Sequence, residues 1–248
     1  MIPYRQITNI NIGPITIKLW GLLVALGIAI ALVLALRRAK KVGIRQAWVY
    51  DLTFYSIVAG FIGARAGHVL FSWPEGLPLT LLGAIDLTKG GLSFTFGLAA
   101  ALTASFIYMK YKKIDALRFA DFIAPYIVIA HIISRVGCFL TGMHIGKQTS
   151  FFLGVMVDGA VRHNVALYEI IILLAMLAAL AYLRRFALPE GSIFATYLLL
   201  YAVLRFPLDF LRTDPTYYGL TAAQYVLMGI FALSLGFFCC RKRMRKQG

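Results

Sequence analysis

Seven stretches of roughly 20 residues, nearly free of charge, run through this chain at 15–36, 48–71, 91–109, 119–140, 165–183, 191–210 and 221–240. A helix needs about 20 mostly apolar residues to cross the hydrocarbon core of a bilayer, and each stretch has that length. Backbone polar groups in hydrocarbon must be satisfied internally, so such runs fold as helices. Composition agrees: 60% of the residues are apolar and only 14% are charged, with mean hydropathy +0.80. Soluble domains carry about a quarter charged residues. The expected fold class is an all-α integral membrane protein of seven transmembrane helices, a single polytopic domain over 1–248.

The net charge of +15 suggests nucleic acid until its placement is read. Sixteen of the 25 basic residues fall in four clusters, RRAKKVGIR at 37–45, KYKK with Arg118 at 110–118, Arg184-Arg185, and RKRMRK at 241–246. These occupy alternate gaps between the apolar runs, the distribution of the positive-inside rule. They read as topology signals in contact with anionic membrane lipids, and nucleic acid is not an expected partner. The N-terminus then lies outside and the C-terminus in the cytoplasm. The gaps 72–90, 141–164 and 211–220 face outward. The first is rich in turn formers and suggests a short interfacial helix. Residues 141–164 read as a small external head, FFLGVMV, a DG turn, then AVRHN.

Three cysteines supply neither a disulfide framework nor zinc spacing. Cys138 reads as a small apolar filler beside Arg135. Four histidines without i, i+4 pairing among themselves argue against a metal site, and no cofactor is expected. The first run is too long for a signal-peptide core and reads as a retained helix.

Ionisable residues inside apolar runs are functional candidates by default. Here they are Arg65 and His68 in GARAGHVLF, Asp121, His131 and Arg135 in the fourth run, Tyr168-Glu169 opening the fifth, and Arg205 and Asp209 in YAVLRFPLDFLR. Asp121 lies at the cytoplasmic end of its run, as a solvated or capping acid. Glu169 and Asp209 also suit interhelical pairs that fix the bundle. Arg65, Arg135 and Arg205 against Glu169 and Asp209 leave one positive charge over, and a buried surplus charge needs a partner. The planar guanidinium grips a phosphate at two points. Gly137, Gly142 and Gly146 allow backbone close to a headgroup. An arginine-lined, outward-opening site for an anionic lipid headgroup or phosphate follows. Transport, flipping, lipid-modifying catalysis and a structural lipid site all remain compatible with it.

Five stretches in order resemble the prolipoprotein diacylglyceryl transferases of bacterial inner membranes: GARAGHVLF, KGGLSF at 89–94, DFIAPYIVIAHIISRVGCFLTGMHIGK, RHNVALYE, and YAVLRFPLDFLRTDP. The resemblance implies transfer of diacylglyceryl from phosphatidylglycerol to the lipobox cysteine of a preprolipoprotein, with glycerol phosphate leaving. It implies Arg135, Arg205 and Tyr201 as catalytic residues. Arg65, Gly142, Gly146, His163 and Glu169 are implied as substrate-binding. The chain departs from the family pattern at Trp20, Thr95, Cys138, Met143 and HNVA at 163–166, which leaves His144, His163 and Glu169 as candidate general bases. A related lipid transferase with another acceptor and a non-enzymatic anionic-lipid binder are the competing readings. The latter includes a transporter, against which the lack of two related halves argues.

Overall fold

The structure is a computed structural model that describes residues 2–71 and 91–247. The interfacial helix expected within 72–90 lies outside the described residues. Seven α-helices stand at the seven apolar runs: α1 (Leu19–Val42), α2 (Gln46–Phe71), α3 (Phe94–Tyr111), α4 (Ala116–Thr141), α5 (Val165–Leu183), α6 (Ser192–Arg205) and α7 (Ala222–Gln247). Six described helices are long and apolar enough to span a membrane, α6 together with the 3-10 turn Phe206–Leu211 that continues it. The remaining one, α3, has 18 residues and carries Lys110 in its last turn. Only 17% of the apolar window of α2 is buried, and 39% of that of α5. Such exposed apolar surface needs lipid around it. This is an all-α membrane protein.

The described residues group into two compact units, Met1–Leu34 with Leu117–Gly248, and Ala35–Ala116. In the smaller unit α2 and α3 pack closely because small residues meet. A Cβ on Gly97 would lie 2.9 Å from Ala64 Cβ and 3.0 Å from the Gly60 carbonyl. Ser56 and Ser105 share a hydrogen bond at 2.7 Å, and the Tyr108 hydroxyl donates to Asp51. Arg65 belongs to this unit, where its Nη1 donates to Gly91 O at 3.0 Å.

The larger unit has a core of Ala124, Val128, Leu173, Met176, Leu180 and Tyr197, from α4, α5 and α6. At one end of these helices a polar knot holds them together. Pro125 cannot donate to the Asp121 carbonyl four residues back. Arg184 Nη2 supplies a donor instead, at 3.1 Å to Asp121 O and 2.6 Å to Phe122 O. The Asp121 carboxylate accepts from Gly191 N at 2.6 Å and Phe194 N at 2.8 Å, capping the first turn of α6 from another helix. Of the two readings of Asp121, capping is the observed one.

At the other end lie the small sheets. β1 (Asn9–Ile12) and β2 (Ile15–Lys18) form an antiparallel hairpin. β3 (Ile145–Gln148), β4 (Val155–Val157) and β5 (Ala160–Asn164) make a sheet in the order β3-β5-β4, with Asp158-Gly159 as the expected turn. β6 (Thr216–Tyr217) pairs with β7 (Leu220–Thr221). One sequence expectation is corrected here. The first helix starts at Leu19 and not near residue 15, because the alternating ITIK pairs as a strand with NINI. The N-terminal segment packs onto the sheet formed within 141–164. Ile2 N donates to Gly154 O at 3.1 Å, Ile7 N to Leu140 O at 2.8 Å, and the Tyr4 hydroxyl to Phe139 O. The N-terminal segment thus straps the head sheet to the end of α4.

Candidate active site

Three chain segments bring the functional side chains together in the larger unit. Asn164, fully buried, accepts from Leu167 N at 3.3 Å through its side chain and so starts α5. That cap fixes Glu169 in the second turn. Arg135 projects from α4, six residues before its last. Arg205 ends α6, where Pro207 removes a helical donor and the chain tightens into the 3-10 turn Phe206–Leu211. The turn brings Asp209 back beside Arg205, with Oδ1 at 2.6 Å from Arg205 Nη2. Thr221 Oγ1 donates to Asp209 Oδ2 at 3.2 Å, and Thr221 and Gln224 cap α7 reciprocally.

Glu169 is the hub. Its Oε2 lies 2.7 Å from Arg135 Nε, and its Oε1 pairs with Arg205 Nε. The side chains of Glu169, Arg205 and Asp209 are 3%, 6% and 1% exposed, so these are buried ion pairs. Arg135 Nε also donates to His131 Nε2 at 3.2 Å, and its Nη1 reaches Cys138 Sγ at 3.9 Å. The His131 ring sits 5.5 Å from that of Tyr201, which in turn lies 6.3 Å from Tyr197. In the structure the anion beside Arg135 is therefore a carboxylate of the protein. Among the buried guanidinium nitrogens of the described residues, Arg205 Nη1 and Arg212 Nε have no hydrogen-bond partner, and the Arg135 guanidinium also bonds the Tyr201 side chain.

Arg212, at the end of YAVLRFPLDFLR, also joins the cluster. Its Nε lies 3.8 Å from Asp209 Oδ1, its Nη2 is 2.7 Å from Asp214 Oδ2, and the same nitrogen is 3.0 Å from His144 Nδ1. The signal was the i, i+3 spacing of Asp209 and Arg212. Arg135, Arg205 and Arg212 face Glu169, Asp209 and Asp214, the last of which is 42% exposed. Arg65 lies in the other unit.

The remaining predicted residues are placed as follows. Gly142 adopts φ +72 at the C′ position of α4, where Met143 N donates to Cys138 O at 3.0 Å, a Schellman-type stop. At Gly146 a Cβ would collide with the Leu211 carbonyl and lie 3.2 Å from His163 Cβ, so this glycine lets β3 approach the 3-10 turn. His163 Nδ1 is 2.9 Å from the Tyr168 hydroxyl, beside the Phe151 ring. Burial alone lowers its pKa, with no contribution from the arginines. His144 differs: burial first, then the charges of Arg212 and Arg135, hold it at about 4. Of the three candidate bases, Glu169 is occupied by two arginines, His163 bonds the Tyr168 hydroxyl, and His144 contacts Arg212.

These features define an α-helical, multi-spanning membrane protein with a cluster of arginines and carboxylates at one end of a helix bundle. The family model for prolipoprotein diacylglyceryl transferase matches residues 8–240. The chain belongs to that family. It is similar to the phosphatidylglycerol–prolipoprotein diacylglyceryl transferase of Bacillus cytotoxicus, 31% identical over 255 residues that cover 98% of this chain and 94% of that protein. The enzyme of the same name from Clostridioides difficile is 34% identical over 218 residues, 87% of this chain and 88% of its own. Transferase 1 of Clostridium perfringens is 34% identical over 234 residues, 89% and 88% of the two chains.

Proposed function

We propose that this chain is a phosphatidylglycerol–prolipoprotein diacylglyceryl transferase. It moves diacylglyceryl from phosphatidylglycerol to the lipobox cysteine thiol of a preprolipoprotein. The sulfur bonds to the glycerol carbon as the carbon–oxygen bond to phosphate breaks. The thiol loses its proton and glycerol phosphate leaves.

One observation carries the mechanism: Arg135 and Arg205 are both anchored through Nε on Glu169, and Arg205 keeps a buried Nη1 without a hydrogen-bond partner among the described residues. Two guanidinium groups preorganised around one carboxylate suit a monoanionic phosphodiester. As the bond to phosphate breaks, negative charge grows on the leaving oxygens, and donors already fixed in place stabilise it without reorganisation. Tyr201 positions the lipid beside His131, and Arg65 acts as a bundle or headgroup-positioning residue. The head and the ends bearing Arg135 and Arg205 face outward from the bacterial inner membrane, with the basic clusters in the cytoplasm.

Incubating the purified protein with phosphatidylglycerol vesicles and a lipobox peptide tests the reading. Mass spectrometry should show a diacylglyceryl mass gain on the peptide cysteine. Release of glycerol phosphate without peptide modification would instead assign a different acceptor, and neither product would leave an anionic-lipid binder.

A further inference from the structure

His144 occupies an unusual place. Immediately after the Gly142 turn it adopts a left-handed backbone itself, φ +67, before the chain enters β3. Few non-glycine residues are held there, and histidine is among those enriched. This conformation sets the ring against Arg212, with Nδ1 3.0 Å from Arg212 Nη2. A guanidinium only donates, so Nδ1 is the acceptor and carries no proton. The partner of one ring nitrogen fixes the state of the other. The neutral ring therefore bears its hydrogen on Nε2, which has no hydrogen-bond partner among the described residues.

The charged groups around the ring keep it neutral. Arg212, Arg135 and Arg205 all oppose a further proton, Asp214 alone favours one, and burial opposes it most. A general base needs a free lone pair at the nitrogen that meets the substrate. Here Nδ1 is covered by Arg212, and Nε2 already holds its hydrogen.

We propose that His144 is a neutral hydrogen-bond donor to the phosphate of the lipid, its Nε2–H made available because Arg212 fixes the tautomer. The proposal rests on the transferase reading and adds a residue to its phosphate site. A neutral donor suits the leaving step. It adds a contact to the phosphate without adding charge to the cluster. The bond strengthens as the leaving oxygens gain charge.

Two variants separate this role from a structural one. Asn tolerates the left-handed backbone, so His144→Asn keeps the turn, but its short amide falls short of the Nε2 position. His144→Gln places an amide N–H near that position. With lipobox peptide and phosphatidylglycerol, His144→Asn should lower kcat by roughly a hundredfold, the lower end of the range for one lost donor. His144→Gln should recover most of the loss, and the shape of the pH–rate profile should be the same in all three proteins. Parent-like turnover by His144→Asn would overturn the proposal. So would an ascending limb in the parent profile that His144→Asn abolishes, because that limb marks a general base.

Nitrogen NMR of histidine-labelled protein reads the same claim without turnover. Nδ1 should be unprotonated and Nε2 protonated, and the Nε2–H resonance should shift when glycerol 1-phosphate is added. A protonated Nδ1, or a resonance indifferent to glycerol 1-phosphate, would overturn the proposal even in a protein that transfers nothing to the peptide. Absence of peptide transfer with that shift intact would instead count against the acceptor reading alone.

Discussion

At Glu169 one carboxylate meets two guanidinium groups, and each arginine spends only its Nε on that contact. The consequence for substitution is direct. Lysine preserves the charge, but its donors all radiate from one atom and cannot span Glu169 and a phosphate with the planar two-point spacing of a guanidinium. Arg135→Lys and Arg205→Lys should each lower turnover about a hundredfold, comparable to removing one oxyanion donor. Rate measurements in detergent with phosphatidylglycerol, alongside thermal unfolding to confirm folding, check this; parent-like rates in both would remove the clamp. A second expectation concerns pH. The pKa of His144 is depressed from 6.5 to about 4 in the folded protein. The unfolded chain therefore binds a proton that the folded chain refuses, and this contribution to stability, complete above pH 6.5, is lost as pH falls toward 4. Unfolding temperatures measured across that interval should decline less steeply in His144→Asn than in the parent. Arg135, Arg205 and Glu169 were all legible in the sequence, because ionisable residues inside apolar runs are conspicuous. Their pairing was not, since Arg135 and Glu169 sit on different helices and only packing decides which charges touch.

Among the elements, α6 carries Tyr201 and Arg205, and its start depends on a residue 70 positions earlier. Asp121 accepts from Gly191 N and Phe194 N while its own carbonyl, freed by Pro125, is taken by Arg184. Asp121→Ala removes a capping acceptor from the first turn of α6 and should destabilise the protein by about 1–2 kcal/mol, the upper part of the range for lost caps. Chemical denaturation in mild detergent would reveal it, and unchanged stability would mean the cap is redundant. The helices themselves were readable from their apolar length. Their ends were less so. ITIK reads as apolar helix until NINI is seen to pair with it, and Gly142 reads as room for a headgroup until its positive φ shows a helix stop. Local composition is the same in both cases; the partner strand and the backbone angle differ.

For the whole molecule, the alternation of basic clusters predicts an orientation that can be measured. A cysteine placed at Lys112 should resist a membrane-impermeant thiol reagent in intact cells and react after permeabilisation, whereas one at Asp158 should react in both. Labelling at Lys112 in intact cells would invert the assignment. Class and family could be read from the sequence by itself. Seven apolar runs leave the backbone no choice but helices, and five ordered stretches with two embedded arginines carry the resemblance. Tertiary structure decided what each charge faces. It put Glu169 between Arg135 and Arg205, added Arg212 to the cluster, and set His144 against Arg212. The reason is range. Hydrophobic length acts along the chain and is written locally, whereas an ion pair between helices depends on a few ångströms of packing that no local pattern encodes.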